Sequence, residues 1–213
     1  SSDVCSSDLE MDYLIADPVL APKQDRRERF TERAARLPSF YIHAPLENAP
    51  DPGPPPLASG APPTFGSFNN PAKLNRTVLK LWGEVLTAIP GSRLALKFKN
   101  WFGNANLRER ILNGLGVEAE RVMFVAGDTE RGQHLALYRQ IDVALDPFPF
   151  NGSTTTFESL WMGVPVVTLV GDRFVGRVGL DVLSRIGLDD LAVTDADAYV
   201  ATAVALEIGR AHV

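Results

Sequence analysis

The stretch Asp146-Pro-Phe-Pro-Phe-Asn-Gly-Ser-Thr-Thr-Thr-Phe-Glu-Ser-Leu-Trp-Met-Gly-Val-Pro-Val-Val-Thr168 runs from the end of one strand through a turn and a helix into the next strand. The residues before it, Ile141-Asp-Val-Ala-Leu-Asp146, form an apolar run bounded by turn residues, the signature of a buried parallel strand. Asn151-Gly152 marks a turn, and the hydroxyl run Ser153 to Thr156 opens an amphipathic helix carrying Phe157, Leu160 and Trp161. Gly163 ends that helix, and another strand begins at once. A helix N-terminus presents unpaired N–H groups and the positive end of the helix dipole, and small hydroxylated residues there let an anion approach closely. The expected guest at Ser153, Thr154 and Thr155 is a phosphate. Glu158, one turn further on, suits a sugar diol, most simply a nucleotide ribose. The plainer alternative is that Ser153 only caps the helix and Glu158 only favours its dipole.

Outward from this unit, strand and helix patterns alternate over residues 64–206. Strands are predicted at Phe65–Phe68, Arg93–Phe98, Arg121–Val125, Ile141–Leu145 and Val164–Val170. Helices are predicted at Asn75–Ile89, Asn104–Gly114, Thr129–Arg139, Ser153–Met162, Phe174–Ile186 and Asp195–Leu206. Such repeats with near-continuous apolar strands give an α/β fold, a Rossmann-like parallel sheet with helices on both faces. Ligands of these sheets gather beyond the carboxyl ends of the strands. Lys73 and Asn70 belong to a loop of that kind, following the first strand of the lobe and preceding a helix capped by Asn75. A lysine there can reach a diphosphate and neutralise the charge that builds on a leaving nucleotide. Trp82, Trp161 and Phe157 stand at helical spacing with leucines and are read as core. Lys97-Phe98-Lys99 followed by Trp101-Phe102 is a short, unrepeated basic–aromatic cluster.

The motif Asn-Gly-x-Thr-Thr-x-x-(Asp/Glu)-x-Leu-Trp-x-Gly-x-Pro resembles the nucleotide-diphosphate motif of the O-GlcNAc transferases, family 41 of the glycosyltransferases, which includes the plant SPINDLY proteins. The similarity extends over Met11–Asp17, Phe65–Lys73, Pro90–Leu94 and His134 to the helix ending near Leu206. It implies the two-lobed GT-B architecture, with this chain supplying the C-terminal, donor-binding lobe. By that resemblance Lys73 is the catalytic cation at the diphosphate, and Asn70, His134, Ser153, Thr154 and Thr155 line the donor site. Arg131 matches a lysine that contacts the nucleoside. Animal members carry His at Ser153, Asp at Glu158 and Gln at Asn70, which leaves the sugar and base open. UDP-GlcNAc is the first expectation and GDP-fucose the alternative, with transfer to a protein Ser/Thr hydroxyl by inversion. A noncatalytic nucleotide-sugar-binding scaffold is the rival from another class. No metal or other cofactor is expected, since a helix dipole and basic side chains replace one in GT-B enzymes.

The remaining segments read less regularly. A strand is predicted at Met11–Ala16, a charged helix at Asp25–Leu37 and a second strand at Ser39–His43. Residues 10–44 are expected to be the remnant of an N-terminal lobe. The Pro-rich residues 45–63, centred on Pro50–Pro56, are expected to be an extended linker rather than folded core. DNA encoding Asp3–Asp8 can be the reverse complement of DNA encoding Ile208–Val213, so residues 1–9 and 207–213 are expected to be sequencing-adapter tails on a longer native chain. The protein acceptor, the catalytic base and any tetratricopeptide repeats are then expected upstream, leaving this chain without transfer activity of its own.

The 213 residues are 45% hydrophobic and 22% charged, enough for one sizeable core. A net charge of −5 argues against nonspecific nucleic-acid binding, and no run is long enough to span a membrane. The one cysteine, Cys5, lies in the N-terminal tail, and the thiol-free body fits the cytoplasm. Neither a P-loop nor a serine-hydrolase elbow is present.

Overall fold

The computed structural model describes residues 11–210 apart from 24–29, 42, 47, 126, 128 and 129, with the side chains of 208 and 210 also set aside. Six strands form one parallel sheet: β3 (Thr64–Ser67), β4 (Arg93–Lys97), β5 (Val122–Val125), β6 (Val143–Leu145), β7 (Val166–Leu169) and β8 (Ala192–Val193). Their order across the sheet is β5-β4-β3-β6-β7-β8. The chain moves outward one way from β3 to β5, then returns to lay β6 on the other side of β3. The sheet therefore has its topological switch between β3 and β6, and the loops leaving these two strands stand side by side.

Alternating side chains divide the core between the two faces. Leu94, Leu96, Val143, Leu145 and Val167 pack with Val78, Trp82 and Leu86 of α1 (Arg76–Ala88), Ile111 of α2 (Ala105–Leu115) and Tyr199 and Ala203 of α6 (Ala196–Arg210). Ala95, Ala144 and Val166 point the other way, with Leu135 of α3 (Arg131–Ala136), Tyr138 and Met162. Such alternation is the two-residue period of a strand buried on both sides. Close helix packing on one face depends on Gly83, where a Cβ would stand 2.1 Å from the Leu115 carbonyl oxygen. The remaining helices are α4 (Thr154–Trp161) and α5 (Val178–Ser184).

The N-terminal region departs from expectation. A parallel two-stranded sheet joins β1 (Tyr13–Ala16) to β2 (Arg33–Arg36), in place of the end of the helix predicted at Asp25–Leu37; residues 24–29 of that helix lie outside the described ones. Ser39–His43 is not a strand at its described positions. Pairing with β1 outweighs the helical periodicity of Arg33–Arg36, a tertiary override of local preference. This region docks on the large sheet unit. Arg177 donates to the Leu20 carbonyl (3.1 Å), Arg185 lies 3.4 Å from Asp17, and Phe40 meets Phe174 edge-on. The Pro-rich segment also touches the lobe: Leu46 is buried, the Leu57 amide donates to Asp142 (3.0 Å), and Pro56–Ser59 forms a short 3-10 turn.

At the other end α6 continues to Arg210 with Glu207 buried, so the helix runs past Leu206 into the segment set aside as tail. Residues 1–10 and 211–213 lie outside the described ones. Among the described residues no helix is long and apolar enough to cross a membrane.

Candidate functional site

The two loops at the switch point converge. From β3 the chain passes through buried Asn69 to a short 3-10 turn, Pro71–Lys73, before Asn75 caps α1 by accepting from the Val78 amide (3.0 Å). From β6 it passes through Asp146 and the Phe148–Phe150 turn to Asn151, Gly152 and α4. Lys73 bridges the loops, with Nζ donating to the Asn151 carbonyl (2.8 Å) and to Asn69 Oδ1 (3.3 Å). Asn69 Oδ1 also accepts from Thr155 Oγ1 (3.1 Å). Asn151 lies two residues before the Ser153 N-cap of α4, so its carbonyl is outside the helical ladder and accepts from Lys73, while the Thr154 and Thr155 amides have no helical carbonyl behind them to pair with.

Burial lowers the Lys73 pKa, and the nearby Asp146 carboxylate opposes that shift. The Phe150 ring, half exposed, lies 4.5 Å from Nζ. A cavity of about 330 Å³ opens beside them, lined by Asn70, Lys73 and Phe150 among others. The partly desolvated Lys73 cation borders this open space, and the hydroxyl-bearing start of α4 lies on the other side of Asn69, which both groups contact.

Asp146 organises the loop from below. It is buried, accepts from the Gly152 amide (2.6 Å) and Thr168 Oγ1 (2.7 Å), and its own carbonyl accepts from Tyr199 Oη (3.2 Å). Tyr199 Oη in turn accepts from Trp82 Nε1 (3.1 Å), tying the loop to the core. Burial pushes the Asp146 pKa up to about 6, against the pull of the Thr168 and Gly152 donors and of Lys73.

The remaining expected residues distribute unevenly. His134 Nε2 lies 3.2 Å from Glu158 Oε2, so the structure joins these two, and Phe68 and Tyr138 flank the imidazole. Glu158 is only 8% exposed and faces this pair. Asn70 spends its carboxamide oxygen on the Ala72 amide (2.9 Å), capping its own turn. Ser153 makes no side-chain cap bond, contrary to the plainer reading of it as the cap of α4. Thr154 is exposed and Thr155 half-buried at the start of that helix. Arg131 is exposed at the first position of α3, and none of its hydrogen bonds reaches the other expected residues among those described. Thr129, the predicted start of that helix, lies outside the described residues.

One reading of the core fails here. Trp161 is 48% exposed and Phe157 half-buried, while α4 turns Thr156, Glu158 and Ser159 inward. Trp82 is fully buried as expected. The residues missed by sequence reading are Asn69 and Asp146 as organisers of the site. Their signal was position, since each follows a buried strand at the switch point, Asp146 at once and Asn69 two residues on.

Comparison with known proteins gives a consistent likeness. The sequence profile described as Glycosyl transferase family 41 matches residues 61–212. The chain is 40% identical over 200 residues to the tomato (Solanum lycopersicum) protein named probable UDP-N-acetylglucosamine--peptide N-acetylglucosaminyltransferase SPINDLY, covering 92% of this chain and 21% of that protein. The Arabidopsis thaliana protein of the same name is 39% identical over the same length. The chain thus spans about a fifth of the length of these curated relatives. Among solved structures, a variant of the Thermobaculum terrenum O-GlcNAc transferase superposes with a TM-score of 0.78 at 37% identity, covering 92% of this chain and 37% of that one.

Proposed function

The chain belongs to glycosyl transferase family 41, and from that premise we propose that its six-stranded unit is the nucleotide-sugar-binding part of a protein O-glycosyltransferase. The observation that carries this reading is the Lys73 ammonium, held between Asn69 and the Asn151 carbonyl at the open start of α4. A nucleoside diphosphate fits this arrangement. Its phosphates take the amides and hydroxyls of Thr154 and Thr155, with Ser153 and the Asn70 amide group at the margin. Lys73 then balances the negative charge that grows on the diphosphate as the bond to the sugar breaks. His134, oriented by Glu158, stands on the nucleoside side with Arg131. The acceptor hydroxyl attacks the anomeric carbon from the opposite face, so the sugar inverts. The names carried by the relatives favour UDP-N-acetylglucosamine as donor and a peptide as acceptor. The cradle needs no metal or cofactor, because its positive charge comes from Lys73 and the helix end.

Titration calorimetry on this chain with UDP, GDP and uridine tests the reading. UDP binding that Lys73→Ala weakens, with uridine binding little changed, is expected. Loss of a charge-assisted contact corresponds to about 1.5–3 kcal/mol. A folded sample that gives no heat with either diphosphate would overturn the donor-site assignment.

A further inference from the structure

The cluster after β4 splits into an anchor and a free face. Phe102 is fully buried against Phe124 (5.6 Å between ring centres), whereas its neighbour Trp101 is 51% exposed and is held edge-on against Phe98. Between them and β4 stands Lys99, whose φ of 43° lies in the left-handed region that side-chain-bearing residues seldom adopt. Trp101 walls a cavity of about 580 Å³ that reaches Ala72, Asn100, Asn104 and Arg110. Arg110 also lines a second cavity of about 580 Å³, which holds Arg76, Asn106, Glu109 and Asn113. Ala72 also lines the cavity beside Lys73. Arg110 lines both larger cavities, and Ala72 lines the Trp101 cavity and the one beside Lys73, so the three are neighbouring hollows in a trough that begins near Lys73.

We propose that this trough binds an extended, acidic segment of the acceptor polypeptide, with Trp101 as its stacking platform and Arg110 as its carboxylate partner. The inference rests on the proposed function and adds a specificity surface to it. A row of neighbouring cavities suits an extended chain, advancing about 3.3 Å per residue, better than a compact ligand. Carboxamides match the donor and acceptor of a peptide unit, and Asn100, Asn106 and Asn113 are exposed along the trough. Asn104 gives its oxygen to the Leu107 amide (3.0 Å), which leaves its NH₂ as a donor. Charge sets the partner's sign: two guanidiniums, Arg76 and Arg110, face one carboxylate, Glu109, on a chain of net charge −5. Arg110 gives the protein one long bond, to the Pro71 carbonyl (3.5 Å), so its planar fork remains suited to a carboxylate. Tryptophan and arginine are both among the residues enriched where binding energy concentrates at an interface.

The test uses this chain and a fluorescein-labelled extended dodecapeptide with a central serine flanked by glutamates, alongside a twin with lysines in their place. Fluorescence anisotropy is expected to show saturable binding of the acidic peptide and about tenfold weaker binding of the twin. Trp101→Ala is expected to weaken the acidic peptide about tenfold, and Arg110→Glu to reverse the preference. Calorimetry with UDP on the same samples is expected to be unchanged by either substitution, which separates this surface from the donor site. UDP binding with no peptide binding, or peptide binding indifferent to charge and to Trp101, would overturn the groove and leave the donor reading standing. Peptide selectivity without UDP binding would do the opposite. Concentration-dependent dimerisation abolished by Trp101→Ala, or displacement of the peptide by an oligothymidylate at equal concentration, would also overturn it, assigning the surface to a second copy or to nucleic acid.

Discussion

Lys73 Nζ and Thr155 Oγ1, contributed by loops on opposite sides of the topological switch, converge on a single atom, Asn69 Oδ1, at 3.3 and 3.1 Å. Asn69 is buried, belongs to no helix and was not among the expected site residues, although it lies within Phe65–Lys73. Its oxygen sets the separation of the ammonium and the hydroxyl before any anion arrives, so less ordering remains to be done on binding. Replacing Asn69 with Ala removes that common acceptor while leaving both donors in place. UDP affinity is expected to fall about tenfold, which is about 1.4 kcal/mol. Calorimetry on a sample of unchanged melting cooperativity decides it; undiminished affinity would show that Lys73 and Thr155 are positioned by other means.

The His134–Glu158 pair makes a second prediction. At 3.2 Å, with the carboxylate 8% exposed, each group is the other's partner, and Tyr138 lies close enough to Glu158 to have its pKa raised by burial and by that carboxylate. Removing either partner leaves the other poorly satisfied, so the two losses overlap. His134→Ala and Glu158→Ala are expected to be non-additive in urea unfolding, with a coupling of about 0.5–3 kcal/mol. Strict additivity would mean that the contact contributes nothing to the fold.

How far the sequence could be read depended on whether the deciding interactions were local. The apolar runs of β3 to β7 carry their own periodicity, and they lie where expected. Arg33–Arg36 does not, because its conformation depends on Tyr13–Ala16, some twenty residues upstream. Trp161 shows the limit of counting apolar residues. On this short helix the inward side is occupied by Thr156, Glu158 and Ser159, and the large ring is left outside. Asn69 and Asp146 were not picked out as site residues because their local sequence does not say what they will hold: Asn69 meets Thr155, 86 residues on, and Asp146 meets Thr168, 22 residues on.

Gly152 tests how tightly the cradle is built. A Cβ there would stand 2.7 Å from Thr155 Oγ1 and 2.8 Å from both Asp146 Oδ1 and Thr156 Oγ1. Asp146 Oδ1 and Thr155 Oγ1 are bonded to Gly152 and Asn69, so they cannot withdraw without loosening the loop. Gly152→Ala is expected to destabilise the fold by about 1–3 kcal/mol, as overpacking commonly does. It should also weaken UDP binding more than uridine binding. A substituted chain with wild-type melting temperature and wild-type UDP affinity would show that the turn has slack that the geometry does not suggest.

The final prediction concerns pH. Burial raises the Asp146 carboxyl from 3.8 to about 6, so between those values the folded chain holds a proton that the unfolded chain releases. Stability from this group is fully present below about pH 3.8 and is lost as pH rises through 6. At about 1.4 kcal/mol per unit, the loss is bounded at about 3 kcal/mol. Asp181, also raised to about 6 by burial despite its contact with Arg185, contributes a slope of the same sign. Asp146→Asn keeps an oxygen for the Gly152 amide but cannot titrate, so its urea-unfolding free energy is expected to fall less steeply than wild type between pH 4 and 7. Adding Asp181→Asn should flatten the profile further. If the Asp146→Asn profile overlays that of wild type, Asp146 is not the buried acid that the loop is built on, and its bonds to Gly152 and Thr168 would have to be retained by a carboxylate that ionises at its ordinary pH.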